Sequence, residues 1–327
     1  MPRALGTAPD DSSVAQVTLR GGGLRAQVMT WGASVQGLWL DGIGHSLLRG
    51  SPDLRAYFAD LLYFGAVVGP VANRIANARF TLDGRTFSLD ANEGGKTILH
   101  GGVHGTGQRN WAIADLGPAH CRLEITQPGG LHGFPGPLEI AVTYTLEEQS
   151  ALLVEIEGHS AVPALFAPAF HGYWTLDGAA DLRGHRLQVD AESYLPVDAD
   201  MIPLGPPAPV AGTMFDFRKA SAIDQSIDHN LCLSSERVPI RPVAWLEAGK
   251  LRLELATTEP GLQVYASGGT SSGHWPGHEG RPFGPYAGLA LEPQLWPDAA
   301  NRADYPSPRI DPGQRITQSS RFTLQRL

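Results

Sequence analysis

The chain has 327 residues, of which 42% are hydrophobic and 18% charged, and it carries a formal net charge of −8. That is a globular balance with a sizeable core; its 25 basic residues are scattered, which excludes the phosphate-neutralising stripe of a nucleic-acid binder, and no segment reaches the roughly 18 apolar residues of a membrane span. An N-terminus (MPRALGTAPDDSS) without an apolar signal region, and two cysteines, Cys121 and Cys232, too few for a metal set and read as free thiols, point to the cytoplasm.

The first candidate strand is RAQVMTW (25–31), and PDLRAYFADLL (52–62) has the spacing of a short helix. FTLDGRTFSL (80–89) sets Asp83-Gly84 between two alternating runs, the strongest short-range signal for a hairpin. Further strands are expected at CRLEITQ (121–127), LEIAVTYTL (138–146), LLVEIEG (152–158), KLRLELATT (250–258), LQVYAS (262–267) and RFTLQ (321–325). The Pro-rich 201–212 and the Gly-rich 267–284 read as loops, because strand-like sequence resumes after each. No long amphipathic helix, internal repeat or low-complexity linker interrupts this rhythm, so the sequence predicts an all-β sandwich or barrel forming one domain over residues 1–327.

One strand raises a question. In LALEPQLWPDA (289–299), Leu289 and Leu291 share one face while Ala290 and Glu292 share the other, and Pro293 should break the run. Glu292 therefore faces either solvent or a cavity.

Histidine is the other candidate for chemistry, with 11 in the chain and four before glycine, in LHGG (99–102), VHGT (103–106), LHGF (131–134) and FHGY (170–173). His171 differs from the rest because apolar and aromatic residues flank it, where an imidazole must find partners or face a pocket. A metal set is weakly supported: His100 and His104, or His274, His278 and Glu279, lie in glycine-rich sequence, and neither HExxH nor CxxC spacing occurs. RGGGLR (20–25) and HGGVHGTG (100–107) lack the GK[ST] ending and following helix of a phosphate loop, and no G-x-S-x-G elbow is present. Acid–base chemistry with His and Glu survives. Asn73 and Arg74 together offer an amide and a five-donor guanidinium suited to vicinal hydroxyls; Asp228, before His229, and Gln263, after a Pro-Gly turn, add two more polar groups.

Taken in order, these segments resemble the aldose 1-epimerase (galactose mutarotase) family. The matches are ANRI with Asn73 and Arg74, N-x-G followed by LHGG with His100, the GFPG turn at 133–136, H-x-Y-W with His171, DFR at 216–218, DH with Asp228, PGLQVY with Gln263, and LEPQ-x-x-PDA with Glu292. The resemblance implies a large antiparallel β-sandwich with few short helices and a cofactor-free, metal-free enzyme that interconverts the anomers of a free aldose such as glucose or galactose. It implies Glu292 as general base, His171 as general acid, and Asn73, Arg74, His100, Asp228 and Gln263 as sugar contacts. Departures fall at Pro70, Trp174, Thr175 and Ala266–Gly268, and they bear on substrate choice more than on reaction type. A carboxylate close to His171 would raise the pKa of the imidazole and keep it protonated.

Two alternatives accompany this reading. A hexose-phosphate epimerase of the same fold calls for extra basic residues near the cleft, and a non-catalytic sugar-binding protein has no need of the acid–base pair; the protein itself is expected as a monomer or homodimer. Trp174, Trp275 and Trp296 fit either an enzyme or a binding protein, since indole faces stack on sugar rings but more often fill cores. His274 and His278 read as surface-loop residues.

Overall fold

The computed structural model describes residues 1–327. Three antiparallel sheets carry most of the strand residues. The N-terminal sheet has four strands (Arg3–Thr7, Ser13–Gly21, Leu24–Met29, Val35–Leu40) in sequence order. The largest has nine, running from Ala112–Leu116 through His120–Gln127, Leu138–Glu147, Ala151–Ser160, Arg315–Arg326, Leu251–Thr257, Arg241–Ala248 and Arg186–Val189 to Ser221–Ala222. The third has six: Tyr173–Trp174, Leu289–Gln294, Gly261–Tyr265, Asp228–Cys232, Ser193–Tyr194 and Ala208–Pro209.

Period-2 patterning explains why these segments form sheets. In LEIAVTYTLE, Leu138, Ile140, Val142, Tyr144 and Leu146 are buried and enter one core, while Glu139, Thr143 and Thr145 on the opposite face are less buried. The main core of 53 buried residues draws on all three sheets, including Val28 and Leu38, Val154 and Phe322, and Leu231, Val264 and Leu289. Apolar faces of separate sheets meeting in one core is the organisation of a β-sandwich.

The expected strands and the Asp83-Gly84 hairpin are all present, the latter pairing Phe80 with Phe87. Two local expectations need correction. Residues 52–62 form only a single 3₁₀ turn, Leu54–Phe58, which Asp53 opens by accepting from the Arg55 N–H and which ends at Ala59 in a non-helical conformation. Pro293 does not break its strand. It pairs with Leu262 on one side, while on the other the short Tyr173–Trp174 strand reaches only Leu289 and Ala290, so proline stands where no ladder N–H is needed.

Both faces of the Leu289–Gln294 strand are buried. Leu289 and Leu291 enter the main core, while Ala290 packs on the opposite side with Phe64 and Tyr173. Glu292 shares that second face and is 2% exposed. It faces the protein interior, not solvent.

Candidate active site

Strand register sets half of the site. Asn230 lies opposite Gln263, and Gln263 opposite Glu292, so three polar side chains form one row across adjacent strands. Gln263 Nε2 donates to Asp228 Oδ1 at 2.5 Å and holds that carboxylate over the same face.

The other half comes from three tight segments. His171 lies between two short strands with its backbone fixed at both ends: its N–H donates to the Ala66 carbonyl at 2.8 Å, and its carbonyl accepts from Gly65 at 2.9 Å. Arg74–Ile75 pairs with Ile98–Leu99, which brings Asn73 and His100 together. These two residues have φ of +60° and +52°, a costly conformation without glycine, and each supports the other. The His100 N–H donates to the Asn73 carbonyl at 3.0 Å, and the Asn73 N–H donates to His100 Nδ1 at 3.1 Å. The glycine after His100 is required: a Cβ on Gly101 would lie 1.9 Å from the Gly69 carbonyl oxygen. Asp298 joins the two halves, its N–H donating to the Arg74 carbonyl and its Oδ1 accepting from the Ala76 N–H, each at 3.0 Å.

All seven candidate residues converge. Asn73, Arg74, Asp228 and Gln263 line one cavity, and His100, His171 and Glu292 bring ligating atoms within 4.8 Å of one another. His171 Nε2 is 3.5 Å from Glu292 Oε1, with both side chains almost fully buried. Glu292 Oε2, His171 Nδ1 and Gln263 Oε1 are buried without a protein partner. Buried polar atoms are nearly always satisfied, so three such atoms on one cleft fit a ligand rich in hydroxyls.

Two histidines and a carboxylate could suggest a metal. His100 opposes that use, because its Nδ1 lone pair is taken by the Asn73 N–H and its Nε2 therefore carries the proton. It is built to donate into the cleft.

Electrostatics corrects one expectation. The neighbouring carboxylate does not raise His171: burial dominates and pushes its pKa down to about 3, and it also holds His100 well below the ordinary histidine value. Burial raises Glu292 well above an ordinary glutamate, with Asp228 adding to the rise and Arg74 opposing it. His171 and Glu292 are therefore read as a pair that holds one proton between them.

The pair has a signature in stability. Between the ordinary glutamate pKa near 4.5 and the raised native one, folding adds a proton to Glu292; below about 6.5 it removes one from His171. The two effects offset each other. In Glu292→Gln only the His171 effect remains, whose stabilisation is present above pH 6.5 and lost as pH falls. Thermal melts should show the variant losing about 1.4 kcal/mol per pH unit more than wild type between about pH 4.5 and 6.5; parallel curves in that window would refute the one-proton pair.

The sequence missed several neighbours. Tyr63 lies with its ring 4.7 Å from that of His100 and 6.2 Å from that of His171, and Tyr173 stacks on His171 at 4.9 Å. Glu93 grips Arg74, accepting from Nε at 2.8 Å and from Nη2 at 2.7 Å. A tyrosine in an apolar run and a glutamate in a glycine-rich turn carry no signal of their own, although Tyr173 follows His171 by two residues.

Other candidates stand apart from the cleft. His104 and His132 meet each other, rings 5.2 Å apart, with His132 Nδ1 2.8 Å from Asp90. His274 is exposed and lies against Trp275, as a surface-loop residue would, whereas His278 is half-buried against Trp39 with its Nε2 2.7 Å from the Gln36 carbonyl. The 267–284 loop is tied to the N-terminal region through Trp275 to Asp60 and Ser46 to Glu279. None of the three tryptophans is a sugar platform: Trp174 stacks on Phe322 in the core, Trp296 packs on Tyr305, and Trp275 lies under Arg55.

Comparison with known proteins gives the family and the fold. The sequence model of the family described as aldose 1-epimerase matches residues 15–323. The galactose mutarotase of Rattus norvegicus is 34% identical over 325 residues, covering 95% of this chain and 94% of its own. The aldose 1-epimerase of Escherichia coli is 33% identical, covering 96% of both chains. Among solved structures, an aldose epimerase homologue from C. elegans superposes with a TM-score of 0.89 at 27% identity, over 96% of this chain and 99% of that one. Galactose 1-epimerase from Lactobacillus acidophilus superposes with a TM-score of 0.84 at 25% identity, over 100% and 99%.

Proposed function

The chain belongs to the aldose 1-epimerase family, an isomerase family acting on monosaccharides, and from that premise we propose how its cleft interconverts the α and β anomers of a free aldose. Mutarotation needs a proton taken from the anomeric hydroxyl while another reaches the ring oxygen. The C1–O5 bond then breaks, the open-chain aldehyde turns about C1–C2, and closure on the other face reverses the transfers. Glu292 takes the hydroxyl proton and His171 supplies the ring oxygen. The observation that carries this reading is their 3.5 Å contact, buried, with Glu292 Oε2 free of protein partners.

Burial disfavours charge on either group alone, so the resting pair is weighted toward neutral Glu292 and neutral His171. The reactive form, carboxylate beside imidazolium, differs only by one proton moved across that contact. Net proton count is unchanged over the cycle, as an isomerisation requires. His100 donates its Nε2–H to the sugar, and Asn73, Arg74, Asp228 and Gln263 hold the remaining hydroxyls. The site residues then need no redox or group-transfer cofactor.

Glucose and galactose are the expected aldoses. The match across residues 15–323 supports a single domain over 1–327, and the two free, buried thiols support a cytoplasmic setting, as monomer or homodimer. The test is polarimetry of freshly dissolved α-D-glucose and α-D-galactose. Wild-type protein should hasten the approach to equilibrium of at least one; sugar binding without acceleration of any aldose in a wider panel would leave only a binding protein.

A further inference from the structure

Arg74 is the one guanidinium lining the cleft, and its charge is already committed. Glu93 meets it through two parallel hydrogen bonds, the bidentate form that fixes both partners. Thr97 Oγ1 donates to Glu93 Oε2 at 2.8 Å and holds the carboxylate in place. Burial works against ionising Glu93, but the hydrogen bonds from Arg74 and Thr97 outweigh it and keep its pKa below the usual value.

The remaining charges point the same way. Asp228 and Glu292 add two carboxyl groups, and burial keeps both site histidines neutral. Lys96, on the same turn as Glu93, is exposed and paired with Asp200 at 3.1 Å. With Arg74 neutralised by Glu93, a sugar bearing a carboxylate or phosphate would therefore enter a space that keeps the carboxyl groups of Asp228 and Glu292 and offers no free cation.

We propose that Glu93 is a specificity-determining and positioning residue, which occupies the Arg74 head group and so makes the cleft select neutral aldoses over sugar acids and sugar phosphates. This rests on the aldose-epimerase reading of the cleft and extends it to substrate class. It also argues against the hexose-phosphate alternative, since the residue that would receive the phosphate is held by Glu93.

D-galactose and D-galacturonate differ only at C6, one neutral and one anionic at pH 7, which makes them the discriminating pair. Initial mutarotation rates and calorimetric dissociation constants are measured for both sugars with wild type, Glu93→Gln and Glu93→Asp. Wild type should favour galactose. Glu93→Gln, nearly isosteric, removes one negative charge and unmasks Arg74, and should shift the galactose-to-galacturonate affinity ratio toward the anion by about tenfold or more at low salt, through KM rather than kcat. The shift should shrink in about 0.5 M salt, as added ions screen the charge difference. Glu93→Asp keeps the charge but not the reach, so it should keep the selectivity while weakening galactose.

Equal loss for both sugars in Glu93→Gln, or a wild type that binds galacturonate as well as galactose, would overturn the proposal. Absence of galactose turnover in wild type, with the affinity ratio still shifted in Glu93→Gln, would overturn the mutarotase reading and leave the charge selection standing.

Discussion

Glu292→Gln should lose nearly all enzyme-accelerated mutarotation, a fall in kcat of about 10²–10⁴ or more, while its melting temperature at pH 7 stays within a few degrees of wild type. Glutamine keeps the volume of the side chain and an oxygen for hydrogen bonding, but it cannot take a proton from the anomeric hydroxyl. The neighbours that hold residue 292 belong to the backbone: it lies opposite Gln263 in a strand whose Leu289 and Leu291 anchor it in the main core. The substitution therefore removes a proton acceptor without removing packing. Polarimetry on galactose, with the uncatalysed rate subtracted, measures the effect. Retention of a tenth or more of wild-type kcat would show that another group takes the proton, and Asp228, whose pKa burial also raises, would become the candidate.

The sequence made the sheets legible because their signal is local. Alternation in Leu138–Glu147 or Ala151–Ser160 follows from which face of a strand meets the core, and Asp83-Gly84 specifies its own turn. Residues 52–62 failed because an apolar spacing alone does not separate an α-helix from one 3₁₀ turn laid over a hydrophobic patch; Leu54, Ala56 and Tyr57 are buried in either conformation. Pro293 misled for a related reason. Its cost depends on whether a neighbour needs its N–H, which is a property of the Tyr173–Trp174 strand more than a hundred residues earlier.

The seven site residues could be named because a family resemblance ordered them, but their geometry lay outside any local pattern. The row Asn230, Gln263 and Glu292 exists only through the pairing of three strands. The pKa of His171 is the sharpest case. Sequence supplied a carboxylate partner and hence an upward shift, whereas the pair's burial supplied a larger downward one, and burial is a property of the whole fold. Glu93 was invisible on the same grounds, since nothing in NEGGK announces a side chain that reaches Arg74.

His171→Asn should lower kcat by a similar factor of about 10²–10⁴, and the double variant with Glu292→Gln should be scarcely worse than either alone. The reason is the shared proton. If one proton serves both groups, removing either end stops its movement, and removing the second end takes nothing further from the cycle; independent contributions would instead multiply. Asparagine places a polar group near the ring position without titrating, and the backbone bonds at Gly65 and Ala66 do not involve the side chain. The double-mutant cycle in kcat on galactose measures the coupling. Wild-type kcat/KM should be bell-shaped in pH, because the active form carries one proton: a second, taken up in acid, blocks the base, and its loss in alkali removes the acid. Those two limits belong to the pair, so each single variant should lose the bell and keep only a shallow residual profile. Multiplicative losses in the double variant, together with a bell that survives in either single one, would place the acid and the base on groups that do not share a proton.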